Sequence, residues 1–286
     1  MNVTRLLMRT ALAGLIALSA TVMARAEAPS VVVSVKPLHA IAAAVMAGVA
    51  MPRLLVKGFA SPHNYALRPS DAAALNDADV VVWIGENFEL FLSKPLDALA
   101  GKARVVTLNE MIGDGEDPHL WLDPDHAREI ARRVGDALSD LDPDNRDRYT
   151  LNEAGFSKRL EELDEALRKI LAPIVDMPYL VFHDAYGAFE RRYGLAMVGA
   201  VTINPIQKPG VKRVAAIRQT IRETGARCLF GEPQFTPALL GTLIEDSEAR
   251  IAILDPLGAT LAPGPEAYFI LMRNLAEGLR DCLTAD

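Results

Sequence analysis

The sequence of 286 residues predicts an α/β protein of two lobes, each with a mostly parallel four-stranded sheet and flanking helices, joined by a long rigid helix. Three observations lead there. Short β-branched runs alternate with helical patterns along most of the chain, and they lack the period-2 alternation of a half-exposed strand, which fits strands buried on both faces. The runs fall into two groups, separated by a charged stretch whose apolar residues recur at spacings of three and four. A chain of this length also sits where one hydrophobic core tends to divide into two.

The N-terminus reads as an address rather than as part of either lobe. Arg5 and Arg9 precede the apolar stretch Ala11 to Met23, and Ala24-Arg25-Ala26 is a small-x-small cleavage site, so residues 1–26 form a secretory signal peptide cut after Ala26. An anchoring helix is the alternative, but the stretch falls short of the roughly 20 apolar residues that a bilayer of about 30 Å requires. Cleavage leaves 260 of the 286 residues, and the loss of Arg5, Arg9 and Arg25 moves the net charge from -7 to -10.

The first lobe, 27–143, holds the strand candidates Val31–Val35, Leu54–Val56, Val80–Ile84 and Val105–Leu108. It closes on a helix whose apolar face is Ala127, Ile130, Ala131, Val134, Leu138 and Leu141. The connecting helix occupies 144–174, with Phe156, Leu160, Leu163, Leu167, Ile170 and Ile174 on one stripe. Gly155 weakens its early turns and Pro173 ends or kinks it, so two shorter helices packed on one lobe are the competing arrangement. In the second lobe, 175–286, the strand candidates are Tyr179–Phe182, Met197–Val201, Cys228–Phe230 and Ile251–Leu254. Helical patterns lie near 211–223, 238–246 and 266–283.

Composition removes several classes of function. A half-hydrophobic chain with 23% charged residues is globular rather than disordered or fibrous, and its negative charge is the wrong sign for a nucleic-acid partner or a basic membrane-surface protein. Cys228 and Cys282 are the only cysteines. After export, an even count suggests one disulfide, and two buried free thiols are the alternative. No C-x-x-C is present, so a redox role has no support.

The chemistry gathers at strand exits, where open parallel sheets bind ligands. His183 follows Tyr-Leu-Val-Phe, Glu232 follows Cys-Leu-Phe-Gly, and Asp255 follows Ile-Ala-Ile-Leu. His63 lies a few residues past Leu54–Val56, and His119 stands in Asp117-Pro-His-Leu-Trp-Leu-Asp-Pro, also beyond a strand. Imidazole and carboxylate converging from two lobes would suit a divalent metal in the cleft between them. Each residue also has a plainer reading: a loop histidine can be a surface or packing residue, Asp255 a turn initiator, and Glu232 a strand terminator. His39 and His126, at the starts of two helices, read as ordinary surface or packing residues.

The motifs Ser61–Asp71, Asp79–Gly85, Pro118–Pro124, Phe182–Phe189, Gly231–Phe235 and Leu254–Gly258 together resemble the periplasmic zinc-binding subunits of ABC-type zinc importers, collinearly over essentially the whole mature chain. The resemblance implies a monomeric substrate-binding protein with Zn²⁺ in the interlobe cleft. It further implies delivery to a membrane permease driven by a cytoplasmic ATPase. His63, His119 and His183 match the family's three imidazole ligands, and Asp255 the fourth, with water as fallback. Glu232 is matched to a role behind the ligands, holding an imidazole tautomer. The cysteine pair matches the family's disulfide.

Two departures qualify the match. Some zinc members have Glu directly before the first histidine where this chain has Pro62, and many carry a long His- and acid-rich loop where Asn109 to Asp117 is short and has no histidine. The second points to another way of receiving zinc, for instance from a periplasmic chaperone. Related manganese-binding proteins have Glu at the place of His183, so three imidazoles favour zinc. A manganese-binding or adhesin-type relative of the same fold is one alternative. A zinc hydrolase, with three ligands and an activated water, is the other, although no His-Glu-x-x-His helix occurs.

Overall fold

The computed structural model describes residues 27–285 apart from positions 114, 204, 206, 208, 236 and 237, so the signal segment 1–26 lies outside the described residues. The first half contains β1 (Val31–Val33), α1 (Lys36–Val45), β2 (Arg53–Leu54), α2 (Pro69–Asn76), β3 (Val80–Trp83), α3 (Leu90–Leu99), β4 (Arg104–Thr107) and α4 (Pro124–Leu141). The second contains β5 (Tyr179–His183), α6 (Gly187–Tyr193), β6 (Met197–Thr202), α7 (Val211–Thr224), β7 (Cys228–Gly231), α8 (Ala238–Ile244), β8 (Arg250–Ile253) and α9 (Ala267–Thr284). Between them runs α5 (Arg146–Leu171), one unbroken helix through Gly155, with a 3-10 turn at either end and Pro173 in the second.

Each half has a four-stranded sheet in which every pairing is parallel, in the orders β2-β1-β3-β4 and β6-β5-β7-β8. The order reverses direction next to β1 and again next to β5, which creates a crevice at the carboxyl ends of the strands in both halves.

The absence of period-2 patterning in the strands has a visible cause. Val31, Val33, Val80 and Val82 point into a central apolar cluster, while Val32, Val81 and Trp83 point into a separate one under α2 and α3. The second sheet repeats the division: Tyr179 and Val181 face the central cluster, whereas Leu180 and Phe182 pack with Ile217 and Leu240 of α7 and α8. Both faces of the inner strands β1, β3, β5 and β7 are dry, so both positions of the pleat are apolar there, while the edge strands β4 and β8 leave Val105, Ile251 and Ile253 exposed.

The central cluster is continuous through both halves. It takes in α1, α4, α5 and α9, so α5 is packed along its length against neighbours from each half rather than spanning a gap as a bare rod. Polar contacts reinforce the junction. The buried Lys36 ammonium donates to the carbonyls of Gly258, Ala259 and Leu261, Trp121 Nε1 donates to Pro256 O at 2.9 Å, and Tyr268 Oη donates to Trp121 O at 2.8 Å. Cys228 and Cys282 form a disulfide that ties α9 to β7.

Candidate metal centre

Three loops and one strand end build the site. Past β2, a 3-10 turn over Pro62–Asn64 carries His63, and Ser61 Oγ accepts from the His63 amide at 3.3 Å. Past β4, His119 directly precedes the 3-10 turn Leu120–Leu122, while His183 is the last residue of β5 and Glu232 comes directly after β7. Parallel strands send all these exits to one edge of each sheet, and residues far apart in sequence arrive together.

One potential ligand nitrogen from each of His63, His119 and His183 lies within 4.8 Å of the others. The ring centroids are 5.8 Å apart for His63 and His119, 5.1 Å for His63 and His183, and 5.0 Å for His119 and His183. Tetrahedral zinc, with Zn–N bonds of about 2.0–2.1 Å, needs nitrogens ~3.3 Å apart, a modest ring movement away. His119 and His183 are each 3% exposed and His63 is half-buried, and all three line a cavity of about 510 Å³ together with Phe88, Asp117 and Asp184. Phe88 stands edge-on to His63 and to His119, both at 5.0 Å between centroids, and packs against both rings.

Two carboxylates set the orientation of two imidazoles. Asp117 Oδ1 is 2.6 Å from His119 Nδ1, and Glu232 Oε1 is 2.9 Å from His183 Nδ1. An ionised carboxylate only accepts, so each Nδ1 carries the proton and each Nε2 keeps a free lone pair for a metal. Burial alone would raise the Asp117 carboxyl. The charge and hydrogen bonds of His119, joined by the Gly187 amide, outweigh it and hold Asp117 below the ordinary carboxylate range. Burial, reinforced by repulsion from His119 and His183, pushes the His63 imidazole down to about 3. At neutral pH the site therefore presents His63 as a neutral ring, the form that ligates.

The structure does not bring Asp255 to these three, in contrast to the sequence expectation. Its Oδ1 accepts from the Leu257 amide at 3.2 Å and its Oδ2 from the Ala259 amide at 2.5 Å, while its charge faces Lys36. The turn after β8 needs those bonds, so the plainer reading of Asp255 as a turn initiator describes its geometry. His39 is buried on α1 with Nε2 2.9 Å from Pro52 O, and His126 sits in the first turn of α4 with Nδ1 3.3 Å from Leu120 O. Neither approaches the cluster.

Residues 31–282 match the family model described as ZnuA, zinc-uptake complex component A, periplasmic. The chain belongs to the ZnuA family. It is 37% identical over 309 aligned positions to the High-affinity zinc uptake system protein ZnuA of Brucella suis biovar 1, with 90% of this chain and 92% of that protein covered. A crystal structure of a ZnuA deletion mutant with zinc bound superposes with a TM-score of 0.79 at 28% identity, covering 91% of this chain and 99% of that one. The laminin-binding protein of Streptococcus agalactiae, described as bifunctional with adhesin and metal-transporting activity, also superposes with a TM-score of 0.79. Its identity is 27%, over 90% of this chain and 100% of that one.

The site residue that sequence reasoning passed over in this chain is Asp117. Its signal was present: a carboxylate two residues before a candidate ligand in the same loop. Asp-Pro, however, reads first as a turn.

Proposed function

We propose that this chain is the periplasmic zinc-binding protein of an ABC-type importer, that His63, His119 and His183 hold the zinc, and that it hands the metal to a membrane permease served by a cytoplasmic ATPase. The carrying observation is the convergence of three imidazole nitrogens within 4.8 Å, two of the rings with their Nδ1 already on a carboxylate. Three nitrogens and no thiolate suit zinc, and ligand preference places manganese well below it. With both Asp255 oxygens engaged in their turn, a water or another small ligand from solvent completes the tetrahedron. Glu232 serves His183 rather than the metal.

The same reading makes the chain a monomer that is exported with its first 26 residues removed. It receives zinc without a histidine-rich loop, from a periplasmic chaperone or directly from solution. Among the described residues no helix is long and apolar enough to cross a membrane. The relative with adhesin activity shares the fold, but with two of the three imidazoles 3% exposed the site is placed to sequester an ion rather than to meet a partner surface.

Elemental analysis of the purified protein, with Zn²⁺ and Mn²⁺ competing, tests the metal. One zinc per chain and a rise in melting temperature with RT ln(1 + [L]/Kd) are expected, and no melting shift at saturating Zn²⁺ would reject the proposal. Turnover of ester or phosphate substrates by the zinc-loaded protein would instead support a hydrolase. Loss of a carboxylate behind a ligand typically costs 10–100-fold in affinity, so His63→Ala, His119→Ala and His183→Ala should each cost at least about 100-fold. Asp255→Ala should leave affinity near wild type, and a loss as large as that of the histidine variants would restore Asp255 as fourth ligand.

A further inference from the structure

Asp117 divides its carboxylate between the two halves of the molecule. Oδ1 lies 2.6 Å from His119 Nδ1 and also accepts from the His119 amide at 3.0 Å, within the first half. Oδ2 accepts from the Gly187 amide at 2.9 Å, and Gly187 is the first residue of α6 in the second half. The fit is close: a Cβ at Gly187 would come to 3.3 Å from that oxygen. The far end of α6 is held by the same N-terminal segment, since Arg192 Nη1 donates to Asp123 at 2.8 Å and to Asp125 at 2.7 Å. Only three residues separate α6 from His183.

We propose that Asp117 is a positioning residue that latches the two halves on the metal, one carboxylate fixing the His119 tautomer with one oxygen and closing the cleft on α6 with the other. This rests on the zinc reading above. Metal bound at His119 Nε2 withdraws charge from the ring and strengthens the Nδ1–H bond to Asp117. A better-held Asp117 is a better-placed acceptor for Gly187. Coupling of this kind is reciprocal: whatever strengthens the latch strengthens zinc binding, and pulling α6 away loosens His119. Glu232 supplies an internal contrast. It makes the same carboxylate–imidazole contact with His183, but that contact lies within the second half, β5 to the exit of β7.

Asp117→Asn is the discriminating variant. Its amide offers one acceptor where two opposed donors, His119 and Gly187, each need one, so it cannot serve both. Glu232→Gln is the comparison, and Asp117→Ser, which removes bulk without adding any, stands in if circular dichroism shows the Asn protein misfolded. Zinc affinity is read by competition titration, and hydrogen exchange at the Gly187 amide is read by NMR with and without saturating Zn²⁺. Both Asp117→Asn and Glu232→Gln should bind zinc about 10–100-fold more weakly. Zinc should slow Gly187 exchange in wild type and in Glu232→Gln but not in Asp117→Asn. The latch is overturned if Asp117→Asn binds zinc within twofold of wild type, or keeps the zinc-dependent slowing. It is also overturned, with the zinc reading intact, if wild type binds zinc and its Gly187 exchange does not change. Wild type that binds no zinc sinks the zinc reading first and the metal-linked latch with it.

Discussion

His63 differs from the other two imidazoles in what stands behind it. His119 and His183 each have a carboxylate on Nδ1, whereas the nearest company of the His63 ring is aromatic: Phe88 and the two other histidines. Burial and two neighbouring rings of the same potential charge depress it from 6.5 to about 3. The consequence for stability has a definite sign. The unfolded chain takes up a proton near pH 6.5 and the folded site refuses it, so stability present above that pH is lost as pH falls toward 3. The melting temperature of the metal-free protein should fall by several degrees between pH 7 and pH 5, and His63→Ala should flatten that part of the curve. An identical slope in the variant would mean that other groups carry it. His39→Ala, by contrast, should lower melting at every pH and leave zinc stoichiometry alone, because it removes a buried ring bonded to Pro52 O.

At the scale of elements, the turn from β3 to α3 shows how a backbone is held against the site. Gly85 has φ 148°, and a Cβ there would lie 2.7 Å from the Asn109 side chain, so only glycine fits. The amides of Ile84 and Gly85 donate to Glu89 Oε2 at 2.8 and 3.0 Å, which sets the loop that presents Phe88 to His63 and His119. Complete burial pushes the Glu89 carboxyl up from 4.5 to about 7 despite those bonds. A raised acid contributes full stability below its unfolded value and loses it as pH rises through 7. Glu89→Gln keeps the acceptor without the charge, so it should match wild type near pH 5 and melt a few degrees higher at pH 8. Equal melting at both values would show that the charge costs nothing in this pocket.

The molecule as a whole is one continuous core with two sheets in it. The central cluster runs from β1 and β3 through α1, α4, α5 and α9 to β5 and β7, so the halves share apolar surface rather than merely a connector. The disulfide contributes at this scale because it closes a loop with a sequence separation of 54. The chain-entropy model assigns such a loop about 4 kcal/mol. The double variant Cys228→Ser, Cys282→Ser should lose stability of that order in urea unfolding while still binding one zinc per chain. Loss of zinc binding in a folded variant would instead tie α9 to the site.

Much of this was legible beforehand. The eight strands could be read because each is a short apolar run, most plainly in β1, β3, β5 and β7, which are dry on both sides, and α5 because its apolar stripe is long and regular. The seven-residue α6 was not, since it starts at a glycine and is too short to show a period. His63, His119 and His183 could be picked out by their places after strands, because parallel topology carries every strand exit to the same edge. Asp255 stood out by the same rule, and the local turn chemistry of Asp-Pro-Leu-Gly took its oxygens instead. What the sequence by itself determined is the set of elements and the chemistry available at their ends, since both follow from local pattern and strand direction. What only the tertiary structure decided is which of those ends meet, which carboxylate stands behind which ring, and that Asp117 reaches across to α6. Those depend on distances between residues far apart in the chain, and no local period encodes them.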